Sequence, residues 1–255
     1  MPMNLQMNIE GARAFKSGAQ IARVVSEDWA KRNLYCPACA NDELAQTKNN
    51  TKVFDFVCPA CVARFQLKSS RRWDERRIPD AGYAAMMEAI SKDSNPNLFV
   101  LHYDGNWNVR NLLLIPSFFF TSSAIEKRPP LAITARRAGW VGCNILLSNI
   151  PSMGRIAIVA GGIIAERSEV RSRYEKIKAF SSLNTRVRGW TLDVFRIVEM
   201  LPKKFALKEV YAQEQRLAEA HPGNRNIRAK IRQQLQVLRD MGFITFLGGG
   251  EYLKI

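Results

Sequence analysis

Two Cys-Pro-Ala-Cys pairs constrain this chain more than any other feature. Cys36 and Cys39 form the first, Cys58 and Cys61 the second, and 18 residues separate them. Each pair makes a knuckle that presents two thiolates to one ion. Four thiolates complete the tetrahedral sphere of a structural zinc site. A closed sphere leaves no position for substrate, so this zinc organises the fold and does no chemistry. The first eleven residues lack the apolar core of a signal peptide, and no apolar run approaches the roughly 18 residues of a membrane helix. The expected setting is cytoplasmic, with no membrane partner, where thiols stay reduced and disulfides do not form. Cys143, the fifth cysteine, is expected as a buried, inert thiol.

The chemistry-bearing residues surround the second pair. Val53 to Val57 and Arg64 to Lys68 read as short strands with Cys58 and Cys61 in the turn between them. Asp55 lies on the first strand and Gln66 and Lys68 on the second, a D-x10-Q-x-K pattern. Strand side chains alternate, so Gln66 and Lys68 share one face. Asp55 and the Gln66 amide oxygen offer hard donors for Mg2+, with Mn2+ able to substitute. Lys68 could orient an attacking water or stabilise the pentacovalent phosphorus of phosphodiester hydrolysis. Gln66 brings no negative charge where a glutamate is common, which weakens metal affinity. Glu27 or Asp28, on the preceding helix, could add a carboxylate. By itself the pattern also fits a surface Asp and a surface Lys on a hairpin.

Away from the cysteines, helices are expected from about Ala12 to Ala30 and from Gly82 to Ser91, the second with Ala and Met buried. Strands are expected at Leu98–Tyr103 and Asn108–Ile115 around the turn Asp104-Gly105-Asn106, and at Arg155–Ala160. Ser181 to Thr185 reads as a linker. Helices then follow at Leu192–Leu201, Lys208–Ala220 and Ile227–Met241. In the last, Ile227, Ile231, Leu235 and Leu238 form one apolar face. Phe243–Leu247 and Glu251–Ile255 flank Gly248-Gly249-Gly250 as a terminal hairpin, completing a winged helix. The expected organisation is an α/β domain over residues 1–182 and a winged-helix domain over 183–255.

The chain carries 38 basic and 23 acidic residues, a net charge of +15. An excess that large favours a polyanionic partner. Both expected domains share it: residues 183–255 carry 13 basic and 7 acidic residues (+6), and the remainder 25 and 16 (+9). No phosphate-binding glycine loop is present, so no nucleotide cofactor is expected. His102 and His221 do not form a catalytic set.

Several stretches resemble the DpnI family. They include Tyr35 to Cys39, Asp55 to Cys58, Phe65 to Ser69, Thr134 to Ile145, Arg188 to Thr191 and Ile231 to Asp240. The resemblance covers nearly the whole chain. It implies a methyl-directed restriction endonuclease, monomeric in solution, that cuts double-stranded DNA at GATC when the adenine carries an N6-methyl group. It implies a zinc-containing PD-(D/E)xK nuclease core followed by a winged helix. Asp55, Gln66 and Lys68 stand at the catalytic positions, the four cysteines at the zinc positions, and Trp140 where the methyl groups are sensed. Gln66 departs from the family's glutamate, which keeps a second expectation open: a methylated-DNA-binding protein with weak or lost cleavage. An aromatic face that buries an N6-methyl group gains ~1 kcal/mol, the order of one CH2. Beside it, Arg136 and Arg137 could reach guanine edges or phosphates, and Arg228, Lys230, Arg232, Gln233 and Gln236 lie on the expected recognition helix.

Overall fold

A computed structural model describes residues 3–47 and 54–255. In chain order its first elements are α1 (Gly18–Asn33), β1 (Ala45–Gln46), β2 (Phe56–Val57), β3 (Arg64–Ser70) and β4 (Arg77–Gly82). There follow α2 (Tyr83–Ser91), β5 (Asn97–Tyr103), β6 (Val109–Ile115), β7 (Ile125–Lys127), β8 (Gly142–Leu146), β9 (Ile156–Ala160) and β10 (Ile163–Ile164). The remainder is α3 (Arg167–Ile177), α4 (Thr185–Met200), β11 (Lys204–Ala206), α5 (Leu207–Tyr211), α6 (Glu214–Ala220), α7 (Ile227–Asp240), β12 (Ile244–Gly248) and β13 (Glu251–Lys254). None of the described helices is long and apolar enough to cross a membrane.

These elements form two compact units that interleave along the chain. The first comprises Met1–Glu75, Ser94–Ser117 and Met153–Lys178; the second comprises Arg76–Asp93, Phe118–Ser152 and Ala179–Ile255. The first is built on a seven-stranded mixed sheet, ordered β1-β2-β3-β5-β6-β9-β10. Among the described strands only β3 and β5 pair in parallel, with Gln66 beside Leu98 and Lys68 beside Val100. Strands β5 and β6 are its centre: Phe99, Leu101, Leu112 and Leu114 have no exposed surface, as expected of apolar strands covered on both faces. The turn between them is the expected one, since Asp104 Oδ1 accepts from the amides of Asn106 and Asn108 at 2.9 and 3.0 Å.

The second unit carries two three-stranded sheets, β4-β8-β7 and β11-β13-β12, and five helices. Helix α7 buries Ile227, Ile231, Leu235 and Leu238 as its spacing requires. With α4 beneath it and the β12–β13 hairpin after it, this is a helix-turn-helix with a wing. Phe119, Phe180, Phe195 and Phe243 meet in an aromatic core, with ring centroids 5.0–5.9 Å apart. Arg188, buried in α4, pairs with Asp93 just beyond α2.

Some expectations need correction. Helix α1 starts at Gly18, not near Ala12. A single 3-10 turn at Glu10–Ala12 precedes it, and Phe15 is 39% exposed. Helix α2, which packs against β4 and β8, has no fully buried residue. Ser181 and Ser182 are not linker. They close a 3-10 turn, and Asn184 caps α4 by accepting from Val187 N–H at 3.0 Å. Helix α4 therefore begins seven residues before Leu192. The helix expected over Lys208–Ala220 is two, broken at Ala212-Gln213. Val53, expected in the first strand of the catalytic hairpin, lies outside the described residues.

Candidate active site and nucleic-acid interface

The four cysteines converge. Their Sγ atoms all lie within 4.8 Å of one another, with Cys36–Cys61 and Cys39–Cys58 both at 3.6 Å. A tetrahedron with Zn–S of 2.3 Å has S···S edges of about 3.8 Å, whereas a disulfide needs ~2.05 Å. The donor set therefore fits zinc in kind and in spacing. The first pair follows α1; the second sits in the turn of the β2–β3 hairpin, where Phe56 pairs with Phe65 and Cys58 N–H donates to Ala63 O at 2.9 Å. Burial pushes the Cys36 thiol well up. Burial also acts to raise Cys58, but the backbone N–H groups of Cys61 and Ala60 and the neighbouring thiols outweigh it, drawing Cys58 down to about 7. Ligation would thus release protons. Helix α3 braces the first knuckle: Arg171 donates to the carbonyls of Cys36 (3.2 Å) and Asn41 (2.9 Å) and pairs with Asp42.

The same hairpin carries Asp55, Gln66 and Lys68. Asp55 N–H donates to Phe65 O at 2.9 Å, and Asp55 Oδ2 accepts from Leu67 N–H at 2.8 Å. These two bonds bracket Gln66. Phe65 turns inward with no exposed surface, so Gln66 and Lys68, one residue out of phase with it, share the opposite face of β3. Helix α1 lies against this strand through a 2.9 Å contact between the Ser26 and Ser69 hydroxyls. Of the two helix acids, Glu27 is the one drawn in. Its side chain is 16% exposed, receives Arg23 Nε at 2.6 Å and lies 3.4 Å from Gln46 Nε2. Asp28, 48% exposed, pairs with Arg32. Arg23 is held above the ordinary guanidinium range by its hydrogen bond to Glu27 first and, less strongly, by the charge of Asp55. Arg23 carries no signal in the sequence, because only the fold brings it to the hairpin.

In the second unit, Trp140 ends the loop between β7 and β8. Arg137 stacks over its ring, 4.7 Å from the centroid, while Arg136 is solvent-exposed. The loop is closed by Leu131 N–H to Trp140 O (2.9 Å) and Gly139 N–H to Leu131 O (3.0 Å). On α7, Arg228, Arg232, Gln233 and Gln236 all lie on the exposed side. Arg228 is held by Glu214 at 2.8 Å and over the Tyr211 ring; Arg232 donates to Tyr211 Oη at 2.7 Å. Lys230 bonds Gln233 Oε1 at 2.8 Å. Tyr211 is a further residue no local pattern reveals: it orients two arginines some 20 positions away. The histidines are structural. His102 meets Asn111 and stacks on Trp73; His221 meets Asp193 at 2.8 Å and stacks on Trp190.

A mixed α/β chain with a central sheet, a four-thiolate cluster able to hold zinc and a C-terminal helix-turn-helix domain belongs among DNA-acting proteins. The chain belongs to the DpnI family: the model of the Dam-replacing family matches residues 3–183, and that of the Dam-replacing helix-turn-helix domain matches residues 186–254. Membership points to a methyl-dependent restriction endonuclease.

Proposed function

We propose that this protein is a metal-dependent endonuclease that hydrolyses double-stranded DNA at GATC sites carrying N6-methyladenine. On this reading residues 1–182 form the nuclease domain and residues 183–255 the winged helix. The observation that carries it is the hairpin geometry: two hydrogen bonds from Asp55 bracket Gln66, and Lys68 follows on the same strand face. Asp55 and Gln66 offer oxygen donors only, which suits Mg2+ or Mn2+. When bound there, such an ion supplies Lewis acidity and water activation. Asp55 and Gln66 would hold it, and Lys68 would place its positive charge beside the reacting phosphate. The zinc cluster fixes the turn that joins the two catalytic strands. Trp140 packs on the methyl group, Arg136 and Arg137 engage guanine edges or phosphates, and Arg228, Arg232, Gln233 and Gln236 read the major groove.

Two observations favour a second reading, a methylated-DNA binder with weak or lost cleavage. Gln66 removes a negative charge from the site, and Arg23 adds a positive one beside Glu27. Digestion of methylated and unmethylated plasmid with Mg2+ or Mn2+ separates the two. Cutting confined to methylated DNA is expected. Binding without cutting in either metal would establish the second reading, and equal cutting of both plasmids would end the methyl-directed one.

A further inference from the structure

The glycine at the start of β8 has a purpose that its backbone does not explain. Neither Gly142 nor its cross-strand partner Gly82 takes a positive φ, so a side chain at either is permitted by conformation. Space decides instead. A Cβ on Gly142 would stand 2.8 Å from Cη2 and 2.8 Å from Cζ3 of Trp140, and 3.5 Å from Arg128 Nη1. A Cβ on Gly82 would stand 3.6 Å from Trp140 Nε1, an ordinary contact. The six-membered edge of the indole thus occupies the place of the missing Gly142 side chain.

We propose that Gly142 is a specificity-determining position: its missing side chain seats Trp140, and methyl discrimination depends on that seat. This rests on the reading of Trp140 as a methyl contact. The backbone around the seat is pinned. Gly142 O accepts from Arg128 N–H at 3.0 Å, Tyr83 N–H donates to Val141 O at 3.0 Å, and Trp140 N–H donates to Arg137 O at 3.1 Å. A methyl at position 142 therefore displaces the ring and not the strand. The displaced ring also loses its stacking under Arg137. The contact at stake is one methyl group, worth about four-fold in affinity at ~0.8 kcal/mol.

The test measures affinity of the full-length protein for methylated and unmethylated GATC duplexes without a chelator. Trp140→Ala should lower the methylated-to-unmethylated preference about four-fold. Gly142→Ala should lower it equally, and Gly82→Ala should leave it unchanged. In a Trp140→Phe background, where the ring no longer reaches the seat, Gly142→Ala should have no further effect. That comparison remains decisive if Gly142→Ala alone folds poorly. A Trp140→Ala change without effect on preference would sink the reading of Trp140 and the role of Gly142 with it. Loss on Trp140→Ala but not on Gly142→Ala would overturn the seat alone. So would a further loss from Gly142→Ala in the Trp140→Phe protein.

Discussion

Replacing Asp93 tests the interleaving of the second unit directly. Arg188 is charged with its side chain 3% exposed, and Asp93 faces it with 51% exposed. Arg188 Nη1 donates to Asp93 Oδ2 at 3.2 Å, and Nη2 to Oδ1; a further bond runs to Leu183 O at 3.1 Å. Removing one member of a fully buried pair costs about 3–5 kcal/mol. Here one member is half in water, so screening reduces this, and the Leu183 carbonyl stays. About 2 kcal/mol is expected from the lost pairing. Asp93 also takes φ of 51°, which adds roughly 1 kcal/mol for alanine. Asp93→Ala should therefore cost about 3 kcal/mol, or ~6–12 °C in Tm at this chain length. Asparagine tolerates that backbone and keeps an acceptor, so Asp93→Asn should cost about 1 kcal/mol. Adding Arg188→Met to Asp93→Ala should recover part of the loss, because no buried charge is then stranded. Urea denaturation at pH 7, with zinc present, measures all four proteins. A shift below about 0.5 kcal/mol for Asp93→Ala, or no recovery on adding Arg188→Met, would refute the reasoning.

Two further outcomes follow from the first unit. One zinc per chain is expected by metal analysis, and its removal should lower the thermal midpoint, with Cys58→Ser mimicking the loss; a chelated protein that melts unchanged would contradict the site. His102 lies below the ordinary imidazole range, chiefly through burial, with the charge of Arg110 adding to it. The unfolded chain therefore binds the proton more readily, and stability present above about pH 6.5 declines as pH falls toward the lower folded value. Comparing melting at pH 5.5 and 7.5 should give a smaller pH difference for His102→Gln than for the wild type; equal differences would count against it.

What the sequence discloses here is whatever is local. The cysteine spacing, the Ile227–Leu238 stripe and the Asp104 turn each span few residues, and each appears as expected. The start of helix α4 is not legible, because its first turns carry Arg186, Arg188 and Gly189 and show no apolar stripe. The reason lies far away: Arg188 is buried only because Asp93 answers it. Glu27 differs from Asp28 in burial because α1 lies against β3. Arg23 and Tyr211 act through partners brought close by the fold, and Gly142 by a ring two positions back that curls over it. None of these leaves a periodic trace.

The chain passes between its two compact units five times, after residues 75, 93, 117, 152 and 178. This bears on inheritance. A recombination at residue 183 exchanges a contiguous stretch, yet it separates Arg188 from Asp93, Asp193 from Ser123 and Glu199 from Ser152, partners bonded within the second unit. Segments 76–93, 118–152 and 179–255 must therefore diversify as a linked set. Grafting a new recognition preference onto this scaffold calls for three coordinated replacements.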